Sequence, residues 1–369
     1  MLKLFLQYSF SIIIPLVLFQ CNSKPTENVP QSFVITDAEA DSTKADYLII
    51  YNAKCFGSAV EYAKYRHKMN PDIDIGICSY DSYKNRFQDT GTQSNPTRLF
   101  LSYAYNHWSK PPKNVFIIGK FDIVDTSKAP DFDSFTGDID NDDTVEIAIG
   151  RLPVDDNNNV FAYLEKVISF EEQFKGRLVI ASDDHCQGQN QDVLDFETNA
   201  RVLSSKYGAG NCDTFFLNKY AGDTCPCVLI DSARKDLFQK LNSQPSLITF
   251  LAHYSSQQIT DDPLLDSSSI KNLNIPNVYL SNVGTSDFDR SSLALSLLLK
   301  KDGGAVGLIS TTDCSYLQGL VDQISEFLNT ISSDHASVMG DLISKKHFRG
   351  HAYNNYTLLG DPLIRVGRI

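Results

Sequence analysis

A chain of 369 residues is too long for one minimal domain and fits one large α/β unit or two packed lobes. Hydrophobic residues make up 42% and charged residues 21%, an ordinary globular mixture that excludes wholesale disorder, collagen-like repeats and long coiled coils. The 45 acidic residues against 33 basic ones give a formal charge of −12, which repels phosphate backbones and argues against nucleic acid as a partner.

Residues 1–20 read as a signal peptide. Lys3 supplies a short positive start, and Leu4 to Phe19 is an apolar run broken by Gln7, Ser9, Ser11 and Pro15. That length suits a signal h-region better than a membrane span. The run stops at Phe19-Gln20-Cys21-Asn22-Ser23. A cysteine directly after an h-region resembles the lipobox of bacterial lipoproteins, which implies lipidation at Cys21 and a membrane anchor in the bacterial cell envelope, facing periplasm or exterior. Gln20 stands where that box usually has a small residue, and a plain secretory signal or an uncleaved anchor stay open. All three readings take the chain out of the cytoplasm. Residues 21–45, with Pro25, Pro30 and scattered acidic and hydroxyl side chains, read as a polar tether after Cys21.

From Asp46 the pattern becomes regular. Tyr47–Tyr51 is a short apolar run suited to a buried strand, Ser58–Lys68 has helical spacing, and Asp72–Cys78 is a second strand. Asn95-Pro96 opens a helix with a capping side chain and a proline in the first turn. Val115–Ile118 and Val145–Ile149 are predicted strands, followed by a helix over Asn159–Phe174. Further strands are predicted at Arg177–Ala181, Asp213–Leu217, Ser246–Leu251, Asn277–Ser281 and Ala305–Ile309, with helices between them. This alternation predicts an α/β fold of two lobes, 46–175 and 176–369, on mostly parallel sheet covered by helices. The strands at Tyr47, Val115, Ser246, Asn277 and Ala305 are all expected to run the same way.

Seven cysteines lie beyond Cys21, spread too widely for a disulfide-dense scaffold, and their odd number leaves at least one free or paired with another chain. Cys225-Pro-Cys227 lacks a second pair or a nearby histidine and reads as a turn rather than a zinc site.

In open α/β sheets sites gather where loops leave strand ends. One such exit runs from Leu247–Leu251 into Ala252-His253-Tyr254-Ser255, and the next from Val278 into Asn282-Val283-Gly284-Thr285-Ser286-Asp287-Phe288. A histidine beside a small-residue turn is where a base and nucleophile could be built, although a lone strand-end histidine is more often structural.

The chain resembles the gingipain family of bacterial cysteine peptidases over residues 46–367. The resemblance rests on Asp46-Tyr-Leu-Ile-Ile, Asn95-Pro-Thr-Arg-Leu-Phe-Leu101 and Val115-Phe-Ile-Ile-Gly119, and most specifically on Glu146-Ile-Ala-Ile-Gly-Arg-Leu-Pro153 and Leu358-Leu-Gly-Asp-Pro362. It implies a two-lobed, caspase-like fold. It also implies a general base at His253, a His-orienting carboxylate at Glu146 and a nucleophile at position 283. That last position holds Val283, which has no lone pair with which to attack a carbonyl. The glycines that flank the family's histidine are Ala252 and Tyr254 here, and its Gly-Asp after the Val115 strand is Gly119-Lys120.

The resemblance therefore points to a degenerate member that acts by binding a peptide or protein. Two rival readings stay open: an active cysteine endopeptidase with a displaced thiol at Cys314, and a structural or assembly role in the envelope. Ser281 or Thr285 as a hydroxyl nucleophile would need stronger activation than His253 with a distant carboxylate provides. No cofactor is required by this reading. Calcium, which gingipain-type domains bind, is the possible metal, with ligands at Asp138, Asp140 and Asp142 in the acidic segment Asp131–Asp143. That segment is not an EF-hand, because it lacks the glycine and ends its twelve positions on Ile149. A solvated acidic loop is the alternative.

Overall fold

The computed structural model describes residues 33–88, 95–121, 124, 132–140, 142, 144–184, 193–208, 210–220, 230–260, 263–280, 292–311, 317–333, 338–344 and 356–367. In chain order the first part holds β1 (Tyr47–Tyr51), α1 (Phe56–Met69), β2 (Ile75–Ser79), α2 (Tyr80–Tyr83), α3 (Pro96–His107), β3 (Asn114–Ile118), α4 (Phe132–Gly137), β4 (Ala148–Leu152) and α5 (Asn157–Gln173). There follow β5 (Leu178–Ser182), α6 (Val193–Tyr207), β6 (Cys212–Phe216), α7 (Ile230–Leu241), β7 (Leu247–Leu251) and a small hairpin of β8 (Gln258–Ile259) and β9 (Leu265–Asp266). The last part holds β10 (Pro276–Tyr279), α8 (Leu293–Leu299), β11 (Gly304–Thr311), α9 (Leu317–Ser333), α10 (Met339–Ile343) and β12 (Tyr356–Gly360).

Ten strands form one sheet in the order β2-β1-β3-β4-β12-β11-β10-β7-β5-β6. Strands β1, β4, β5 and β7 are buried along their whole length, as sheet covered by helices on both faces requires. Residue 175 lies between α5 and β5, and strands from both sides of it share this one sheet. The helix starts follow local chemistry. The Asn95 side chain accepts from Arg98 N with Pro96 in the first turn, and Asp156 accepts from Asn159 N.

Two expectations need correction. The strand expected at Val145–Ile149 is β4, three residues later, because Glu146 N and Ile147 N both donate to Gly137 O at the end of α4 and leave the ladder to begin at Ala148. The sheet also does not run one way throughout. β1 to β4 and β12 point in one direction and β11, β10, β7, β5 and β6 in the other, since β11 pairs with β12 antiparallel while every other pairing in this sheet is parallel.

Two glycines let β12 seat closely between β4 and β11. A Cβ on Gly150 would stand 2.2 Å from Gly360 O, and one on Gly360, which has φ 110°, would stand 2.5 Å from Val306 O. Asp361 follows directly and is fully buried. It accepts from Tyr47 Oη (3.0 Å), Tyr62 Oη (2.8 Å), Arg66 Nε (2.5 Å) and Leu363 N (2.8 Å). Arg66 also reaches Glu171 at 2.8 Å, so one buried cluster ties β1, α1 and α5 to the end of the chain. Among the described residues no helix is long and apolar enough to cross a membrane.

Candidate active site

β5 and β7 are adjacent and parallel, with Ser182 beside Leu251, so the residues that follow them emerge at one rim. Asp183 N donates to Leu251 O at 3.0 Å and carries the ladder one step further. This sets the Asp183 carboxylate against the start of the next loop. Its Oδ2 accepts from His253 N at 3.0 Å and lies 3.0 Å from His253 Nδ1.

The Asp183 side chain is buried, at 5% exposure, while the imidazole is 44% exposed. A carboxylate facing Nδ1 selects the tautomer with hydrogen on that nitrogen, so the neutral ring accepts protons at Nε2. Phe196 on α6 meets the ring edge-to-face at 5.1 Å, and Thr260 N donates to His253 O at 2.8 Å. Thr260 takes a left-handed φ of 69°, uncommon for a β-branched residue, as the loop turns back toward His253.

Glu146, expected to orient His253, does not meet it. It precedes β4, which β12, β11 and β10 separate from β7 in the sheet, an interval of about 19 Å at the usual strand spacing. Its Oε2 accepts from Ile139 N at 2.7 Å. The carboxylate that the fold brings to the histidine is Asp183. Sequence reasoning passed over it, although the signal was present: Ser182-Asp183-Asp184 directly follows a predicted strand, as His253 does.

Glu146 instead joins Asp138 and Asp140, with one carboxylate oxygen from each of the three within 4.8 Å of the others. Burial raises the Glu146 carboxyl above its usual range, the Ile139 hydrogen bond opposes this, and repulsion from Asp140 and Asp138 adds to it. Asp142 is turned elsewhere, its Oδ1 accepting from Thr144 N at 2.8 Å.

Val283, Cys314, Ser281, Thr285 and Cys21 lie outside the described residues, as do Cys186, Cys225 and Cys227. The strands that lead toward the first two are described. β10 is parallel to β7, β11 is parallel to β10, and Leu280 N donates to Ile248 O at 2.8 Å. The ends of β7, β10 and β11 thus share a rim. Cys55, Cys78 and Cys212 are free thiols, and burial pushes each up to about 11, away from the thiolate form that attacks carbonyls.

The remaining motif residues are structural. Arg151 is buried and forks onto Asp133 at 2.8 and 2.7 Å while donating to the carbonyls of Gly119 and Val124. Lys120 pairs with Asp155 at 2.9 Å.

Residues 40–367 match the model of peptidase family C25. The structure is similar to the crystal structure of the Arg-specific cysteine proteinase gingipain R, with a TM-score of 0.65 and 14% identity, covering 89% of this chain and 79% of that one. A second structure, described as a protease, matches with a TM-score of 0.62 and 15% identity over 86% of this chain and 78% of the other. At such identities these likenesses show a shared fold. No curated protein matches this chain.

Proposed function

The chain belongs to peptidase family C25, and from that premise we propose that it is an envelope-anchored member that has lost thiol chemistry and works by holding a peptide or protein. The observation that carries this reading sets a structural contact against a departure in the sequence. At the proposed base position His253 keeps a hydrogen-bonded carboxylate, Asp183, while the family resemblance sets the nucleophile position on Val283. A polarised imidazole without a nucleophile can still hold a carbonyl or carboxylate by hydrogen bonding, but no acyl-enzyme forms. Ala252 and Tyr254 in place of glycines support the same reading, because the family's open turn around the base is altered.

The purified mature protein is expected to leave Arg- and Lys-containing peptides intact and to take no label from thiol-directed peptidase inhibitors. Cleavage that disappears in Cys314→Ala would overturn the reading in favour of a displaced nucleophile. Anchoring is tested separately: a fatty-acid analogue should label the wild type in cells and spare Cys21→Ser, and equal labelling of both removes the lipoprotein claim.

Calcium enters as a structural ligand. Three converging carboxylates, with the Glu146 carboxyl raised partly by repulsion from its neighbours, suit a hard cation with oxygen ligands. Asp138, Asp140 and Glu146 would hold it, and its part would be to neutralise their repulsion and fix the segment between α4 and β4.

A further inference from the structure

The two edges of the ten-stranded sheet are treated differently by the chain. At the β2 edge the preceding segment lies alongside, with Ile77 N donating to Phe33 O at 2.7 Å and Ile35 N to Ile77 O at 3.0 Å. At the other edge β6 is the terminal strand and has no outer neighbour among the described residues. Leu178 pairs with Cys212 and its N–H goes to Asn211 O at 3.0 Å. In a parallel ladder this turns the peptide groups of Asn211, Asp213 and Phe215 toward β5. Those of Cys212 and Thr214 point outward, a template for one more strand.

Two cavities flank this edge. One, of about 610 Å³, lies between β6 and α7 and includes Thr214, Phe215, Lys219 and Lys240. The other is a shallow, open depression on α6 along Thr198, Arg201, Val202 and Lys206. Arg201 joins them, its guanidinium 4.2 Å from the centre of the Phe216 ring.

The charge of this surface opposes that of the chain. Arg177 pairs with Asp213 and Arg201 with Glu197, so these four cancel. Lys206, Lys219 and Lys240 remain, against Asp236, which accepts from the Tyr220 hydroxyl. Lys240 reaches Asp213 only at 4.0 Å, and Lys206 and Lys219 lie over the rings of Tyr207 and Phe216, with Lys219 also in range of the Glu197 charge. Among the described residues the edge is net positive, a local reversal on a chain of charge −12.

We propose that the open edge of β6 is a docking site for an acidic, extended polypeptide segment, which adds to the sheet as a further strand. Backbone pairing supplies the attachment, and the lysines on either side select acidic side chains. A second copy of this chain is the poorer occupant, since an edge-to-edge pair sets the same lysines against one another. The site is separate from the His253 rim and does not depend on what that rim binds.

The probe is a fluorescein-labelled, N-acetylated Glu-Thr-Glu-Val-Glu-Thr-Glu peptide titrated with the mature protein by anisotropy at low salt. Binding is expected, weakening with added salt and absent for the analogue with Lys in place of Glu. Thr214→Pro removes an outward N–H at a position where an edge strand tolerates proline, and should weaken binding by about tenfold. Lys219→Glu with Lys240→Glu, which leaves the backbone alone, should do the same and keeps the test valid if the proline variant misfolds. Equal affinity for both peptides, or no binding of the acidic one, overturns the proposal. So does binding that survives both edge variants but is lost in His253→Ala, which places the peptide at the rim. A wild-type dimer in sedimentation that Thr214→Pro dissociates assigns the edge to a second copy and also overturns it.

Discussion

Asp183 Oδ2 lies 3.0 Å from both the backbone nitrogen and the ring Nδ1 of His253, so a single carboxylate oxygen fixes the loop and the imidazole together. The pairing is local to two neighbouring strands, β5 and β7. Orientation of the imidazole can therefore be tested apart from the chemistry proposed for position 283.

Asp183→Ala leaves the His253 N–H without its acceptor and should cost about 1–3 kcal/mol in urea denaturation. Asp183→Asn should recover part of this, since its amide oxygen can still accept. In a Val283→Cys background the wild-type pair is expected to give at most weak thiol reactivity, and Asp183→Ala should lower it further. Unchanged stability in Asp183→Ala would show that the contact does not hold the loop.

The buried cluster around Asp361 makes a larger prediction. Asp361→Ala removes the acceptor for Tyr47, Tyr62 and Leu363 N and leaves Arg66, fully buried, with Glu171 as its remaining carboxylate among the described residues. Breaking a buried pair from one side costs about 3–5 kcal/mol, so this variant should lose that much or fail to fold. Lys84→Ala, which breaks the exposed pair with Asp81, should cost less than about 1 kcal/mol. Similar losses for the two variants would refute the anchoring role given to the Leu-Gly-Asp-Pro element.

Much of this architecture was legible in the sequence, and the misses have physical causes. Short fully apolar runs announce buried strands, and Asn95-Pro96 announces a helix start, because both are local facts. The direction in which strands pair is not local. Nothing in Leu358-Leu359-Gly360 says that it lies parallel to β4 and antiparallel to β11; Gly150 and Gly360 disclose it only once their backbones meet. The same limit explains Glu146. A carboxylate before the Ile-Gly-Arg element looks available in sequence, but β4 is four places from β7 in the sheet while β5 is beside it.

Lys166 provides a test by pH. Its ammonium is buried under α8 and donates to the carbonyls of Leu298 at 2.6 Å and Lys300 at 2.9 Å. Burial, with a smaller push from the Lys300 charge, brings it down to about 7 from 10.5. A base depressed in the fold binds fewer protons than in the unfolded chain between those two values, so stability should rise with pH across that window. The rise, taken as wild type minus Lys166→Met to cancel the tyrosines that titrate near its top, should be on the order of 2–4 kcal/mol. A flat difference would show that the two carbonyls hold the ammonium charged throughout.

Glu146 carries the opposite sign and a metal. Burial and the charges of Asp140 and Asp138 raise its carboxyl in the fold, against the Ile139 hydrogen bond that lowers it. An acid raised in the fold keeps its proton where the unfolded chain has released it. Stability should therefore fall as pH rises from the unfolded value of 4.5 toward the raised folded one, and Glu146→Gln should remove that fall. A cation bound among the three carboxylates reverses the balance, because the charged form is then the favoured one. Calcium should raise the melting temperature of the wild type at neutral pH, with a stabilisation of about 2.7 kcal/mol at a hundredfold excess over Kd. Glu146→Gln and Asp138→Asn should each shrink that gain, while Asp142→Asn, whose carboxylate is turned to Thr144 N, should leave most of it. Magnesium should do less, since it keeps its own waters and demands a tighter octahedron. If calcium leaves the melting curve of the wild type where it was, and Glu146→Gln is neutral at every pH, the segment is a solvated acidic loop and holds no ion.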